Sequence, residues 1–172
     1  MESIDQLHEE HRVIEKAIPM LERVVATSVG AEEVLEFFRV FVDRCHHGKE
    51  ELYLFPALES RGVLRREGFV LELLKEHGVA RRYVRDLVGL IHPATVDRNE
   101  SSRQLLDERV RDLVALLREH LAKEEERLWP LAERLLTMED DAALVAGFAD
   151  LQRNLIGERD YCKYLNWARL WG

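Results

Sequence analysis

Cysteine is scarce in this chain: Cys45 and Cys162 are the only two in 172 residues, too few for a disulfide framework to stand in for a packed core. Both are expected to be reduced. Positive charge is also in deficit, with 25 Lys and Arg against 33 Asp and Glu and a formal net charge of −8. A nucleic-acid partner is therefore not expected, because a phosphate backbone needs a basic face to displace its counterions. No apolar run is long enough to cross a bilayer, and the acidic start "MESIDQLHEEH" lacks the apolar segment of a secretion signal. The expectation is a cytoplasmic protein without a membrane partner. A Gly-rich phosphate cradle and a Ser/His/Asp set are missing too, as is the apolar/polar alternation of strands.

What the chain does have is helical periodicity. A hydrophobic share of 47% with 34% charged residues suits one helix-rich core. A first helix opens at Ser3, with Gln6 at capping-box spacing, carries Ile4, Leu7, Ile14, Ile18 and Val25, is expected to kink at Pro19, and ends near "TSVGA" (27–31). A second, with Val34, Phe38, Phe41, Val42 and Cys45, runs toward Pro56 and a loop over 59–68. A third uses Val70, Leu73, Val84, Leu87, Val88 and Ile91 and stops at His92-Pro93. After a polar linker (93–102), a fourth begins near Ser102 and uses Val110, Leu113, Val114, Leu117, Leu121 and Leu128. The spacing predicts an all-α protein: an antiparallel up-down four-helix bundle over 1–136. A C-terminal helical extension, 137–172, would pack on the bundle or on the partner of a homodimer.

The chain also repeats itself. "HHGKEELYLFP" (46–56) aligns with "HLAKEEERLWP" (120–130), pairing His46 with His120, Lys49 with Lys123, Glu50 with Glu124, Leu54 with Leu128, Phe55 with Trp129 and Pro56 with Pro130 at a constant offset of 74. The preceding helices match more briefly, "LHEEH" (7–11) with "LLKEH" (73–77), which pairs His11 with His77. Positions i and i+4 share a helix face, so His46 with Glu50 and His120 with Glu124 can each aim at one point. His11, His77, His120 and Glu124 fall within apolar stripes, where an unpaired carboxylate would be costly. His46 and Glu50 sit at the border of theirs, and His47 and Glu51 point further away. Four histidines and two glutamates aimed into a core suit metal. Glutamate can bridge two ions, and mixed N/O sets with open positions suit iron. The lack of thiolate speaks against a cysteine-type structural zinc.

At these residues the sequence resembles the hemerythrin-like family, the HHE cation-binding domain, over roughly residues 4–135. In that family an antiparallel four-helix bundle holds a non-haem di-iron centre, with a His on helices one and three and a His-x-x-x-Glu-Glu-x-x-Leu-Phe-Pro-like motif on helices two and four. The resemblance implies two iron ions with an oxo or hydroxo bridge. His11 and His46 would lie on one side, His77 and His120 on the other, and Glu50 and Glu124 would bridge. Which histidine serves which ion stays open.

Oxygen carriers of the family have a fifth histidine in a His-x-x-x-His pair on the third helix. Here Leu73 and Arg81 flank His77 at that spacing, so of about twelve coordination positions on two irons roughly two would stay open rather than one. That favours reaction with a small oxidant (dioxygen, peroxide or nitric oxide) over simple carriage, unless His8 or His47 supplies the extra ligand. Tyr53 and Tyr83 are candidates to approach the site. The rival reading is non-enzymatic: an iron-storing, iron-donating or redox-sensing bundle that acts through a protein partner. Lys49 and Lys123 are expected to face solvent, Glu51 and Glu125 to be solvated or to orient a ligand histidine, and Cys45 to be a small core residue.

Overall fold

The computed structural model describes residues 1–27, 30–64, 67–95 and 100–170. Parts of three expected connections (28–29, 65–66 and 96–99), the side chains of Val25 and His92, and the end of the tail at 171–172 lie outside the described residues. Helix α1 spans Glu2–Thr27. Helix α2 is composite: α-helical over Ala31–Phe37, wound as π-helix over Phe38–His47 and Glu50–Leu54, and α-helical again over Phe55–Ser60. Helix α3 covers Gly68–Thr95. Helix α4 runs from Glu100–Lys123 through a π-helical Glu124–Leu128 into Trp129–Leu135. The tail is two helices, α5 (Met138–Leu155) and α6 (Glu158–Leu170). Gly157, at φ 80°, ends α5 by donating its N–H to the Gln152 carbonyl at 2.9 Å, a left-handed C-terminal position that favours glycine.

Two apolar clusters give the direction of each helix. One joins Ile4 and Leu7 of α1 to Leu54, Phe55 and Leu58 late in α2, Val70 and Leu73 early in α3, and Leu128, Trp129 and Ala132 late in α4. The other joins the later part of α1 (Ile14, Ile18, Leu21) to early α2 (Val34, Phe38, Phe41), later α3 (Val84, Leu87) and early α4 (Val110, Leu113, Leu117). Starts meet ends all round, which is the up-down bundle; α1 and α3 each lie between α2 and α4. The tail lies on the α1/α2 side, with α5 against both and α6 along α1. Leu144 and Phe148 of α5 complete the first cluster, and Tyr161, Tyr164 and Trp167 of α6 pack on the second.

Several boundaries differ from the sequence expectation. Helix α3 runs past His92-Pro93 to Thr95, since proline removes one backbone bond without necessarily ending a helix, while α1 contains Pro19 and ends at Thr27, within the expected bounds. Val88 is exposed rather than in the core. Ser3 does not cap its own helix. Its hydroxyl and N–H both donate to Asp141 Oδ1, and the Glu2 N–H donates to Asp141 Oδ2, so a carboxylate from α5 satisfies the open donors of α1. The local capping box belongs instead to Thr137 and Asp140 at the start of α5.

Burial opposes the charge on Asp141, but the bonds from Ser3 and Glu2 outweigh it and hold the carboxyl below the usual aspartate range. A depressed folded-state pKa contributes stability above the unfolded value and loses it as pH falls through the folded one. Asp141→Ala should cost about 1–2 kcal/mol at neutral pH. In urea titrations the gap to wild type should narrow progressively below about pH 4.

Candidate metal centre

The repeated motif works mechanically. Pro56 and Pro130 each have no N–H to give, and each ring crowds the carbonyl four residues back. Just before each proline the helix is widened into a π-helical turn, Glu50–Leu54 and Glu124–Leu128. There the N–H of Phe55 donates to the Glu50 carbonyl and that of Trp129 to the Glu124 carbonyl. Leu54, Phe55, Leu128 and Trp129 are buried in one apolar cluster, which fixes the rotation of the wide turn and aims its glutamate inward. Single π turns of this kind are frequent at functional sites.

All six residues expected at the site, His11, His46, Glu50, His77, His120 and Glu124, are buried and lie in the layer between the two apolar clusters. The Nε2 atoms of His11 and His46 are 3.1 Å apart, as are those of His77 and His120. Glu50 sends Oε1 to 3.7 Å from His46 Nε2 and Oε2 to 3.4 Å from His77 Nε2. Glu124 sends Oε2 to 3.1 Å from His11 and Oε1 to 3.1 Å from His120. Each glutamate thus offers one oxygen to each histidine pair.

The outward nitrogen of every one of these histidines meets a carboxylate: Nδ1 of His11 and Glu125 at 2.8 Å, of His46 and Glu10 at 2.9 Å, of His77 and Glu51 at 2.7 Å, of His120 and Glu76 at 2.9 Å. The braces obey the repeat. Glu10 and Glu76 precede the histidines of α1 and α3 and hold those of α2 and α4; Glu51 and Glu125 do the converse. An Nδ1–H fixed on a carboxylate leaves the Nε2 lone pair facing inward, the tautomer a metal needs.

Comparison with known families matches residues 2–132 to the hemerythrin HHE cation-binding domain. The chain belongs to that family. No curated protein and no solved structure gives a match.

Whether these HHE-domain residues suit a cation is decided by their unpaired atoms. All four carboxylate oxygens of Glu50 and Glu124 are buried without a hydrogen-bond partner, an arrangement that is costly unless positive charge lies among them. Burial, and then the facing Glu124, push the Glu50 carboxyl well up. Burial pushes Glu124 up as well, but the charge of His120 together with the facing imidazoles of His11 and His77 outweighs it and holds the carboxyl well down. His120, between Glu124 and Glu76, is raised to about 9 against the opposing effect of burial. Burial lowers His46 to about 4, with His11 adding to the shift, while the carboxylates of Glu124 and Glu125 raise His11 despite its burial. Each histidine pair therefore contains one imidazole that favours a proton, at the place where a cation fits. The set is mixed imidazole and carboxylate, which suits iron.

Several expectations need correction. His47 does not point away: it is 2% exposed, stacks on His77 at 3.8 Å, and has a nitrogen that forms a further possible metal group with His77 and His120. The π winding explains this, since i→i+5 bonding reduces the angle between successive residues and keeps His46 and His47 both inside. His8 bonds Glu125 at 3.0 Å and belongs to none of the metal groups among the described residues. Tyr53 packs on Phe148, and Tyr83 lies beside Arg109. Lys49 is fully buried on Glu10, whereas Lys123, on Glu76, is 28% exposed. Glu10 and Glu76 were legible as neighbours inside the aligned "LHEEH" and "LLKEH", yet only packing shows which histidines they hold. Cys45 is buried, and burial raises its thiol to about 12, which makes it an inert core residue.

The two lysines should therefore differ. Lys49→Met leaves a buried carboxylate without its cation and should cost about 3 kcal/mol, while Lys123→Met should cost at most about 1 kcal/mol, both read from urea unfolding midpoints.

Proposed function

We propose that the chain holds two non-haem iron ions with an oxo or hydroxo bridge and binds or reduces a small oxidant (dioxygen, peroxide or nitric oxide) at the iron positions left open. His11 and His46 would serve one ion, His77 and His120 the other, with Glu50 and Glu124 across both. One observation carries this reading: each of the two glutamates offers one oxygen to each histidine pair, and none of those oxygens has a hydrogen-bond partner. When bound, the iron pair supplies reversible redox change and Lewis acidity toward a small ligand. The chain's own residues orient and insulate. Glu10, Glu51, Glu76 and Glu125 hold the imidazole Nδ1 protons, and the two apolar clusters bound the layer on two sides.

Access for a small ligand is offered by a cavity of about 290 Å³ between α2, α3 and α4, which has His47, Val42, Ala80 and Leu117 in its wall. As a further ligand, His47 would reduce the open positions from about two to about one, which returns reversible binding to equal standing with reduction. The second reading, a non-enzymatic iron donor or sensor, is favoured by the partial exposure of Lys123 beside Glu76.

Elemental analysis and near-ultraviolet absorption of aerobically purified protein test the proposal. Wild type should carry roughly two irons per chain with oxo-bridge bands, and Glu124→Ala should lose both metal and bands. Zinc in place of iron, or no metal in either protein, would sink it. Sustained consumption of peroxide or nitric oxide then marks an enzyme, and a single stoichiometric reaction marks a donor or sensor.

A further inference from the structure

The two halves of the centre are copies in sequence, yet the tail treats them differently. On the His46 side, Glu10 accepts from His46, from Lys49 and from the hydroxyl of Tyr161 at 2.7 Å. Lys49 Nζ lies 5.0 Å from the Tyr161 ring centroid and 5.2 Å from that of Phe148. Glu10 and Lys49 are both 0% exposed. Phe148 and Tyr161 come from α5 and α6, beyond the residues 2–132 that match the family.

On the His120 side the equivalent pair is open. Lys123 bonds Glu76 and also Glu72 at 2.7 Å, and the side chains of Lys123, Glu76 and Glu72 are 28%, 14% and 47% exposed. The cavity beside His47 lies toward this half. A brace removed from water holds its histidine in a lower dielectric and with one more donor fixing the carboxylate, whereas a brace reached by water is screened and mobile. Partners of this kind affect metal affinity about 10- to 100-fold in metal sites.

On the reading that the centre binds two ions, we propose that the C-terminal tail makes the two metal positions unequal. With Tyr161 and Phe148 closed over Glu10 and Lys49, the position served by His46 holds its ion tightly and releases it slowly, while the position served by His120 exchanges. Tyr161 is a positioning residue: it touches no metal group and acts on His46 through Glu10. By linkage, an ion at the His46 position stabilises the docked tail by the same factor that the tail stabilises the ion.

Release of metal to a chelator tests this. The full chain is loaded with two equivalents of cobalt(II), mixed with excess EDTA, and followed by visible absorbance. Wild type should lose cobalt in two phases of equal amplitude. Tyr161→Phe should accelerate the slow phase about tenfold or more and leave the fast one alone; Glu76→Gln should accelerate only the fast phase. Tyr164→Phe is the control for loss of a tail hydroxyl away from Glu10, because the Tyr164 ring packs on Phe37 and Phe41; it should move neither phase. A single phase in wild type, or a slow phase indifferent to Tyr161→Phe, overturns the inequality while leaving a two-metal centre intact. A chain that takes up no cobalt overturns the metal reading itself.

Discussion

Two carboxylates that face each other in the middle of a bundle cannot both stay charged unless positive charge lies between them. Glu50 and Glu124 impose that condition here, with four buried oxygens and no hydrogen-bond partner for any of them. The rest of the centre answers it. Histidines bring protons, or leave lone pairs for a metal, on the inner side, and an outer ring of glutamates holds their far nitrogens. The polar layer also shapes the core, which divides into one apolar cluster on each side of it. A bundle built for stability alone would have filled the layer with leucine, since buried ion pairs rarely beat a packed apolar replacement.

Symmetry and its breaking are both structural facts. The repeat extends past the inner residues to the wide π turn, the proline that follows it, the carboxylate brace and the lysine on that brace. The tail then packs on the α1/α2 side. Its helices are fixed by cross-chain chemistry: Asp141 closes the start of α1, and Tyr161 reaches Glu10. Among the described residues no helix is long and apolar enough to cross a membrane.

Much of this was legible in the sequence because helices have a fixed period. The stripe through Ile4, Leu7, Ile14 and Ile18 and that through Val110, Leu113, Val114 and Leu117 are buried as expected, and the aligned motifs picked out the six converging residues. The period misled where the helix left it. His47 falls off the α-helical face, and only π winding and packing bring it inside, whereas Glu51 sits on His77, one of the two roles expected for it. Lys49 read as a surface lysine because its cover, Phe148 and Tyr161, lies about a hundred residues away along the chain.

The sequence by itself determined the helices, their up-down order and six of the inner histidines and glutamates, because spacing along one helix and a repeat along the chain are local properties. Tertiary structure alone decided which carboxylate braces each ring, how α1 is capped, and which of the two brace lysines is buried. Those are contacts between helices, and no residue's own neighbours in the chain encode them.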